Sequence, residues 1–242
     1  MKKEATFKWD DKEFIEFYRN SANVIMLERQ RCIEILIQVL SLHFPNLTGL
    51  SILDLGCGDG EISSNIIKQS NSCNFTLLDA SEEMLSKAKE RLGNSSIVYT
   101  HMSFEDYFEK NSEDSKYDIV VSANAIHHLD YIGKSEIFTQ IYKELKLGGA
   151  FVNIDPVEPP SSYSEKIQFG IWKNSMNETI KKTGRNEEVG KYDHIPSKYK
   201  NNLENKPSGL WDQLKALEQS GFRDVDCFYK YSIFVVYGGF KF

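Results

Sequence analysis

Cysteine is scarce and scattered in this chain: Cys32, Cys57, Cys73 and Cys227 form no CxxC pair and stand near no histidines at metal-ligand spacing. Neither a disulfide framework nor a zinc site is expected, and the four read as buried or incidental thiols. No stretch approaches the roughly 20 apolar residues of a membrane span. The N-terminus, with Glu4, Lys8, Asp10 and Asp11 after its two lysines, lacks the apolar segment of a secretory signal. A soluble cytoplasmic protein, with no membrane association, is the resulting expectation. Positive charge is in deficit as well. A net charge of −6 argues against a broad nucleic-acid surface, because phosphate binding draws on clustered Lys and Arg to release counterions. The short clusters Lys181-Lys182-Thr183-Gly184-Arg185 and Lys198-Tyr199-Lys200 read as solvated faces. No internal repeat is visible.

What is present is a globular composition, 40% hydrophobic over 242 residues, enough for one domain carrying a substantial insertion. From Phe14 to Leu42 apolar residues recur near helical spacing, which predicts two helices before any strand. After a break at Pro45 to Gly49, short β-like runs alternate with helical ones. Strands are expected at Ser51–Leu55, Asn74–Asp79, Ile97–His101, Tyr117–Ser122 and Ala150–Asp155, with helices at Asp59–Gln69, Ser81–Leu92 and Lys134–Leu145. Such alternation builds a parallel sheet. Beyond Asp155 the rhythm stops for about fifty proline-containing residues, an insertion between 156 and 207, and resumes with a helix at Ser208–Ser220. Two final β-rich runs, Asp224–Tyr231 and Ile233–Phe240, have no helix between them and should form an antiparallel hairpin. The expectation is an α/β, doubly wound, seven-stranded, mostly parallel sheet. Residues 1–46 form a helical cap, and residues 47–242 form the main domain with its insertion after the fifth strand.

The segment Ser51-Ile52-Leu53-Asp54-Leu55-Gly56-Cys57-Gly58-Asp59-Gly60 runs from an apolar strand into three glycines at alternate positions. Lacking Cβ, glycine tolerates positive φ and lets backbone approach a ligand closely. The glycines alone would equally serve a tight strand-to-helix turn. Asp79 closes the second strand, where its carboxylate can accept both hydroxyls of an adenosine ribose; it can also cap the helix that follows. Strand, glycine loop, helix, strand and terminal acid together point to a nucleoside cofactor.

Asp54-Leu55-Gly56-Cys57-Gly58-Asp59-Gly60 matches the signature D-x-G-x-G-x-G, and the chain resembles the class I S-adenosylmethionine (SAM)-dependent methyltransferases of small-molecule type. The likeness extends to Leu78–Leu85, Tyr117–Ser122, His127-His128-Leu129 and Leu145-Lys146-Leu147-Gly148-Gly149, where Leu147 replaces the usual proline. It implies a Rossmann-like fold with SAM as cofactor. By the resemblance, Gly56, Cys57, Gly58 and Gly60 support the methionine half, which Asp54 orients directly or through water, and Asp79 takes the ribose. Ala80 and Met84 pack against adenine, although a Met at this position serves equally as plain core. Many members carry an acid after the third strand; here Ser103 stands in its place, with Phe104 beside the adenine ring. Ala123 lines the crevice beyond the fourth strand.

Methyl transfer from a sulfonium needs alignment and exclusion of water more than any signature residue. His128, or His127 beside it, is the candidate general base for an acceptor that carries a proton, the alternative being a structural turn. Tyr18 and Arg19 from the cap, and Trp172, Tyr192 and His194 from the insertion, are expected to line a lidded pocket for a small-molecule acceptor. No metal site is expected. The base-amine motif (Asn/Asp)-Pro-Pro-Tyr is absent, since the fourth strand ends in Ser122-Ala123-Asn124-Ala125. The G-x-G-x-x-G spacing of a nicotinamide enzyme is absent too, with Glu61 in its way. A SAM-binding protein without transferase activity and a tRNA-modifying relative stand as the alternative readings.

Overall fold

The computed structural model describes residues 11–69, 72–93, 97–110 and 116–242; residues 1–10 of the expected cap lie outside the described residues. Two helices lead, α1 (Lys12–Ile25) and α2 (Arg29–His43). The alternation follows as β1 (Ser51–Leu55), α3 (Glu61–Ile67), β2 (Asn74–Asp79), α4 (Glu82–Leu92), β3 (Ile97–His101), α5 (Phe104–Lys110), β4 (Tyr117–Ala123), α6 (Tyr131–Glu144) and β5 (Leu145–Pro156). The insertion carries α7 (Ser162–Lys182) and α8 (Ile195–Asn201), and the chain closes with α9 (Leu210–Gln219), β6 (Arg223–Tyr231) and β7 (Phe234–Phe240).

The seven strands form one sheet in the order β3-β2-β1-β4-β5-β7-β6, parallel except that β7 runs antiparallel between β5 and β6. The reversal of order between β1 and β4 opens a crevice at the carboxyl ends of the strands, the ligand position of a doubly wound sheet. Both faces are covered, and successive residues serve opposite cores: Ile52 and Val121 pack with α2, α3 and α4, while Leu53 and Val120 pack with α5, α6 and α9. This burial on both sides explains why the central strands read as continuous apolar runs.

Two segments outside the strand–helix rhythm are helical. In the insertion Ser161 caps α7 by accepting from Ser164 N–H at 3.1 Å, and the 21-residue helix buries Trp172, Met176 and Ile180, spaced four apart, against the core. The segment Phe104–Lys110 is a short helix in which Ser103 Oγ accepts from Asp106 N–H at 3.1 Å. Among the described residues no helix is long and apolar enough to cross a membrane.

Candidate active site

At the end of β1 the chain turns through Gly56, Gly58 and Gly60, all at positive φ. A Cβ on Gly56 would lie 2.4 Å from Ala125 Cβ, so close packing as well as backbone conformation demands glycine there, while at Gly60 the positive φ is the stronger constraint. Gly56 and Cys57 N–H both donate to the Leu78 carbonyl, at 2.8 and 2.9 Å. Asp79 Oδ2 accepts from Gly58 N–H at 2.8 Å and its Oδ1 from Ser81 N–H at 2.9 Å. Burial raises the Asp79 pKa, against the pull of these donors. A carboxylate offers about four acceptor positions, so two remain for a ligand.

Beneath the loop Asp54 is almost fully buried. Its Oδ2 accepts from Ser63 Oγ at 2.6 Å, while Oδ1 has no partner among the described residues. Burial pushes its pKa to about 7, opposed by the Ser63 hydrogen bond. Asp59 is compensated: Arg91 Nη2 and Arg19 Nε both donate to its Oδ2, at 2.5 and 3.0 Å.

A cavity of about 610 Å³ opens above the loop. One half is lined by Gly56, Cys57, Gly58, Asp79, Ala80, Met84, Ser103, Phe104 and Ala123, all expected from sequence. Asp54 and Gly60 stand behind this wall, Gly60 as the residue preceding α3. The other half is lined by Tyr18, Met26, Arg29 and Ile33 from the N-terminal segment, by Asn124, His128, Leu129 and Ile154 at the strand ends, and by Leu203, Glu204 and Lys206. Asn124 adopts a left-handed conformation, φ 52°, which asparagine tolerates better than most residues.

The segment Leu203–Lys206 forms a strap over this half, fastened to the turn after β4. Lys206 N–H donates to the His127 carbonyl at 2.8 Å. His128 Nδ1 lies 3.1 Å from the Glu204 carbonyl, and buried Lys134 donates to the carbonyls of Leu129 and Lys206. Since a carbonyl only accepts, Nδ1 of His128 carries the proton. Burial, reinforced by neighbouring His127, lowers the His128 pKa to about 4, so the ring is neutral at pH 7 with Nε2 as its basic nitrogen.

Five other expected acceptor residues do not reach the cavity, the first being Tyr192, which is buried in the core beside Phe17. His127 is buried behind His128, with Nδ1 2.7 Å from Asp155 Oδ1 and the two imidazole rings 4.1 Å apart. Trp172 donates from Nε1 to the Ile25 carbonyl at 2.6 Å and packs edge-on against Phe234, because α7 turns this face to the core. His194 is exposed just before α8. Arg19 is held on Asp59 rather than on the cavity wall. Conversely, Arg29, Glu61, Asn124 and the strap were not picked out by the sequence reading. Arg29 forks onto Glu61 across 32 positions and the strap meets His128 across 76, so no local pattern announced either.

A doubly wound sheet with a glycine loop and a strand-end carboxylate at its switch point defines a nucleoside-binding α/β protein. The methyltransferase-domain family matches residues 46–216. The chain belongs to this family, as a class I SAM-dependent methyltransferase whose cofactor is SAM. Malonyl-[acyl-carrier protein] O-methyltransferase 1 of Ilyobacter polytropus is 29% identical over 131 residues, 48% of this chain and 47% of that protein. Demethylmenaquinone methyltransferase of Leptospira interrogans is 33% identical over 113 residues, 46% of this chain and 45% of that protein. The match thus spans about half the length of these curated relatives. Magnesium protoporphyrin IX methyltransferase of Synechocystis PCC 6803, crystallised with S-adenosylhomocysteine (SAH), shares the fold: TM-score 0.64 at 14% identity, covering 97% of this chain and 96% of that one. The groups present suit the cofactor. Asp79 keeps acceptor capacity for ribose hydroxyls, and the orphaned Asp54 Oδ1 provides a buried polar position beneath the loop.

Proposed function

We propose that this protein transfers a methyl group from SAM to a small-molecule acceptor presenting a hydroxyl, carboxylate, amine or thiol. The observation that carries this reading is the continuity of one cavity, with the nucleoside-binding groups on one side and His128 under the strap on the other. When bound, the cofactor supplies an activated methyl on a good leaving group. The protein's own work is then alignment and exclusion of water. The tie of His128 Nδ1–H to Glu204 fixes the tautomer, and Nε2 takes the acceptor's proton where there is one. Helices α1 and α2 and the insertion act as a lid over the reacting atoms, a reading supported by Tyr18, Arg29 and Lys206 lying along the wall. In the cofactor half, Asp54 and Gly60 act from behind the wall and Cys57, Ala80, Met84, Ser103, Phe104 and Ala123 act from it. The acidic balance of the chain and a relative named for demethylmenaquinone favour a metabolite over nucleic acid.

The test is incubation with labelled SAM against a small-metabolite extract and, separately, total tRNA. Label is expected in the metabolite fraction. Label in the tRNA alone would overturn the assignment.

A further inference from the structure

Behind the cavity wall at His128 lies a buried polar cluster around Asp155, a residue of β5 that is fully buried and does not line the cavity. His127 donates from Nδ1 to Asp155 Oδ1 at 2.7 Å, and Asp155 Oδ2 has no partner among the described residues. The ring of His127 lies against that of His128, with centroids 4.1 Å apart and a tilt of 40°. The Asp155 charge also acts on Lys134 from α6, Tyr199 from α8, Tyr18 from α1 and Tyr237 from β7. Of these only Lys134 carries positive charge, and its ammonium is held by the carbonyls of Leu129 and Lys206. A fully buried carboxylate is costly to keep, and a tie between β5 and the turn after β4 could be made by a neutral pair at lower cost.

We propose that Asp155 is a positioning residue for methyl transfer: through His127 it holds the His128 imidazole in place, and its negative charge favours the imidazolium that His128 becomes on taking the acceptor's proton. The proposal rests on the general-base reading of His128 and extends it to a residue outside the cavity wall. In that step the electron pair of the acceptor's bond to hydrogen stays on the acceptor atom, and the proton goes to His128 Nε2. Burial and His127 both oppose a positive charge on this ring and bring its pKa down to about 4, while Asp155 and Glu204 pull the other way. The Glu204 side chain is exposed, so water screens it, whereas no water reaches Asp155. Asp155 is therefore the group fitted to lower the cost of charging His128.

A structural alternative makes the Asp155–His127 pair a pin between β5 and the turn after β4 and nothing more. A double-mutant cycle with His128 separates the two. Label transfer from SAM to the small-metabolite extract is measured for wild type, Asp155→Asn, Asp155→Glu, His128→Ala and the two double variants. The extract is used in a dilution series, and SAH affinity is taken by titration calorimetry. Asp155→Asn keeps an oxygen for His127 Nδ1–H and loses the charge. It is expected to lower maximal turnover about 10- to 100-fold, part of what a general base contributes, while leaving apparent KM and SAH affinity within about twofold. In the His128→Ala background the same substitution should cost less than about twofold. The acid limb of turnover should move to lower pH in Asp155→Asn, because His128 is protonated less readily without the carboxylate. Asp155→Glu, which keeps the charge, should retain more turnover, and its cycle with His128→Ala decides if the asparagine variant does not fold. Equal losses in the two backgrounds, a fall in SAH affinity that tracks turnover, or unchanged turnover in Asp155→Asn each identify a pin and overturn the proposal. If His128→Ala itself leaves turnover unchanged, the general-base reading falls and takes this proposal with it. If the wild-type protein binds SAH but transfers no label, the small-molecule reading falls first, and this proposal falls with it.

Discussion

The two halves of the cavity are built differently. The cofactor half is made of short local segments at the ends of adjacent parallel strands, 54–60, 79–84 and 103–104, tied mainly by backbone groups: two N–H groups on the Leu78 carbonyl and two on Asp79. The acceptor half is assembled from 18–33, 124–129 and 203–206, three segments far apart in sequence, tied largely by side chains reaching carbonyls, as His128 and Lys134 do. A parallel sheet fixes strand ends relative to one another through its hydrogen-bond ladder, whereas a strap held by a few such contacts can change sequence and length without disturbing the sheet. Under the function proposed above, the difference puts the holding of the nucleoside on the rigid element and the contact with the acceptor on the adaptable one.

The sharpest division is predicted at His128. His128→Ala is expected to lower turnover by roughly 10²–10⁴-fold while leaving SAM affinity nearly intact. A loss confined to SAM binding would erase the boundary between the halves and make the residue structural.

The cofactor half should in turn show a penalty of its own in the absence of ligand. With Asp54 raised from the usual carboxylate range to about 7 by burial, the folded protein holds a proton that the unfolded chain releases between about pH 4 and 7. Stability from this group is therefore present at low pH and lost as pH rises through that window, by up to about 4 kcal/mol. Asp54→Asn should remove this slope, raising the apo melting temperature relative to wild type at pH 8 while weakening SAM binding. Parallel melting curves for the two proteins from pH 5 to 8 would show that Asp54 is ionised with no penalty.

Next in size is Asp79→Ala, which removes the carboxylate proposed to accept hydrogen bonds from the ribose. SAM affinity should fall by roughly ten- to over a hundredfold, about 1.5–3 kcal/mol. Calorimetry giving the wild-type constant would show that the ribose lies elsewhere.

The same contrast explains what could be read from the sequence. Gly56, Gly58 and Asp79 were legible because their constraint is local: positive φ, a Cβ with nowhere to go and a strand-end position all leave marks within a few residues. Tyr18 and His128 were found because their segments flank the sheet at its carboxyl end. Arg29 was missed because its partner Glu61 lies on another helix, and charge pairs between helices follow no period. The helix within the insertion was not legible because prolines at 156, 159 and 160 dominate the start of the segment, yet all three precede α7, whose cap is Ser161. Of the insertion, only residues near its end reach the cavity.

Trp172 gives the smallest effect and tests the correction directly. An aromatic in a segment over the site was expected to face the acceptor, but its ring lies between α7 and β7 and its Nε1–H holds the last carbonyl of α1. Trp172→Phe keeps much of the apolar contact and removes that hydrogen bond, leaving the Ile25 carbonyl without its donor, so about 1–2 kcal/mol of stability should be lost. For a chain of this size that is a fall of roughly 2–8 °C in melting temperature. Because the ring stands behind the cavity wall, SAH affinity and the acceptor KM should change by less than about twofold. A rise in acceptor KM of tenfold or more with the melting temperature unchanged would return Trp172 to the pocket and show that α7, rather than the strap, faces the acceptor.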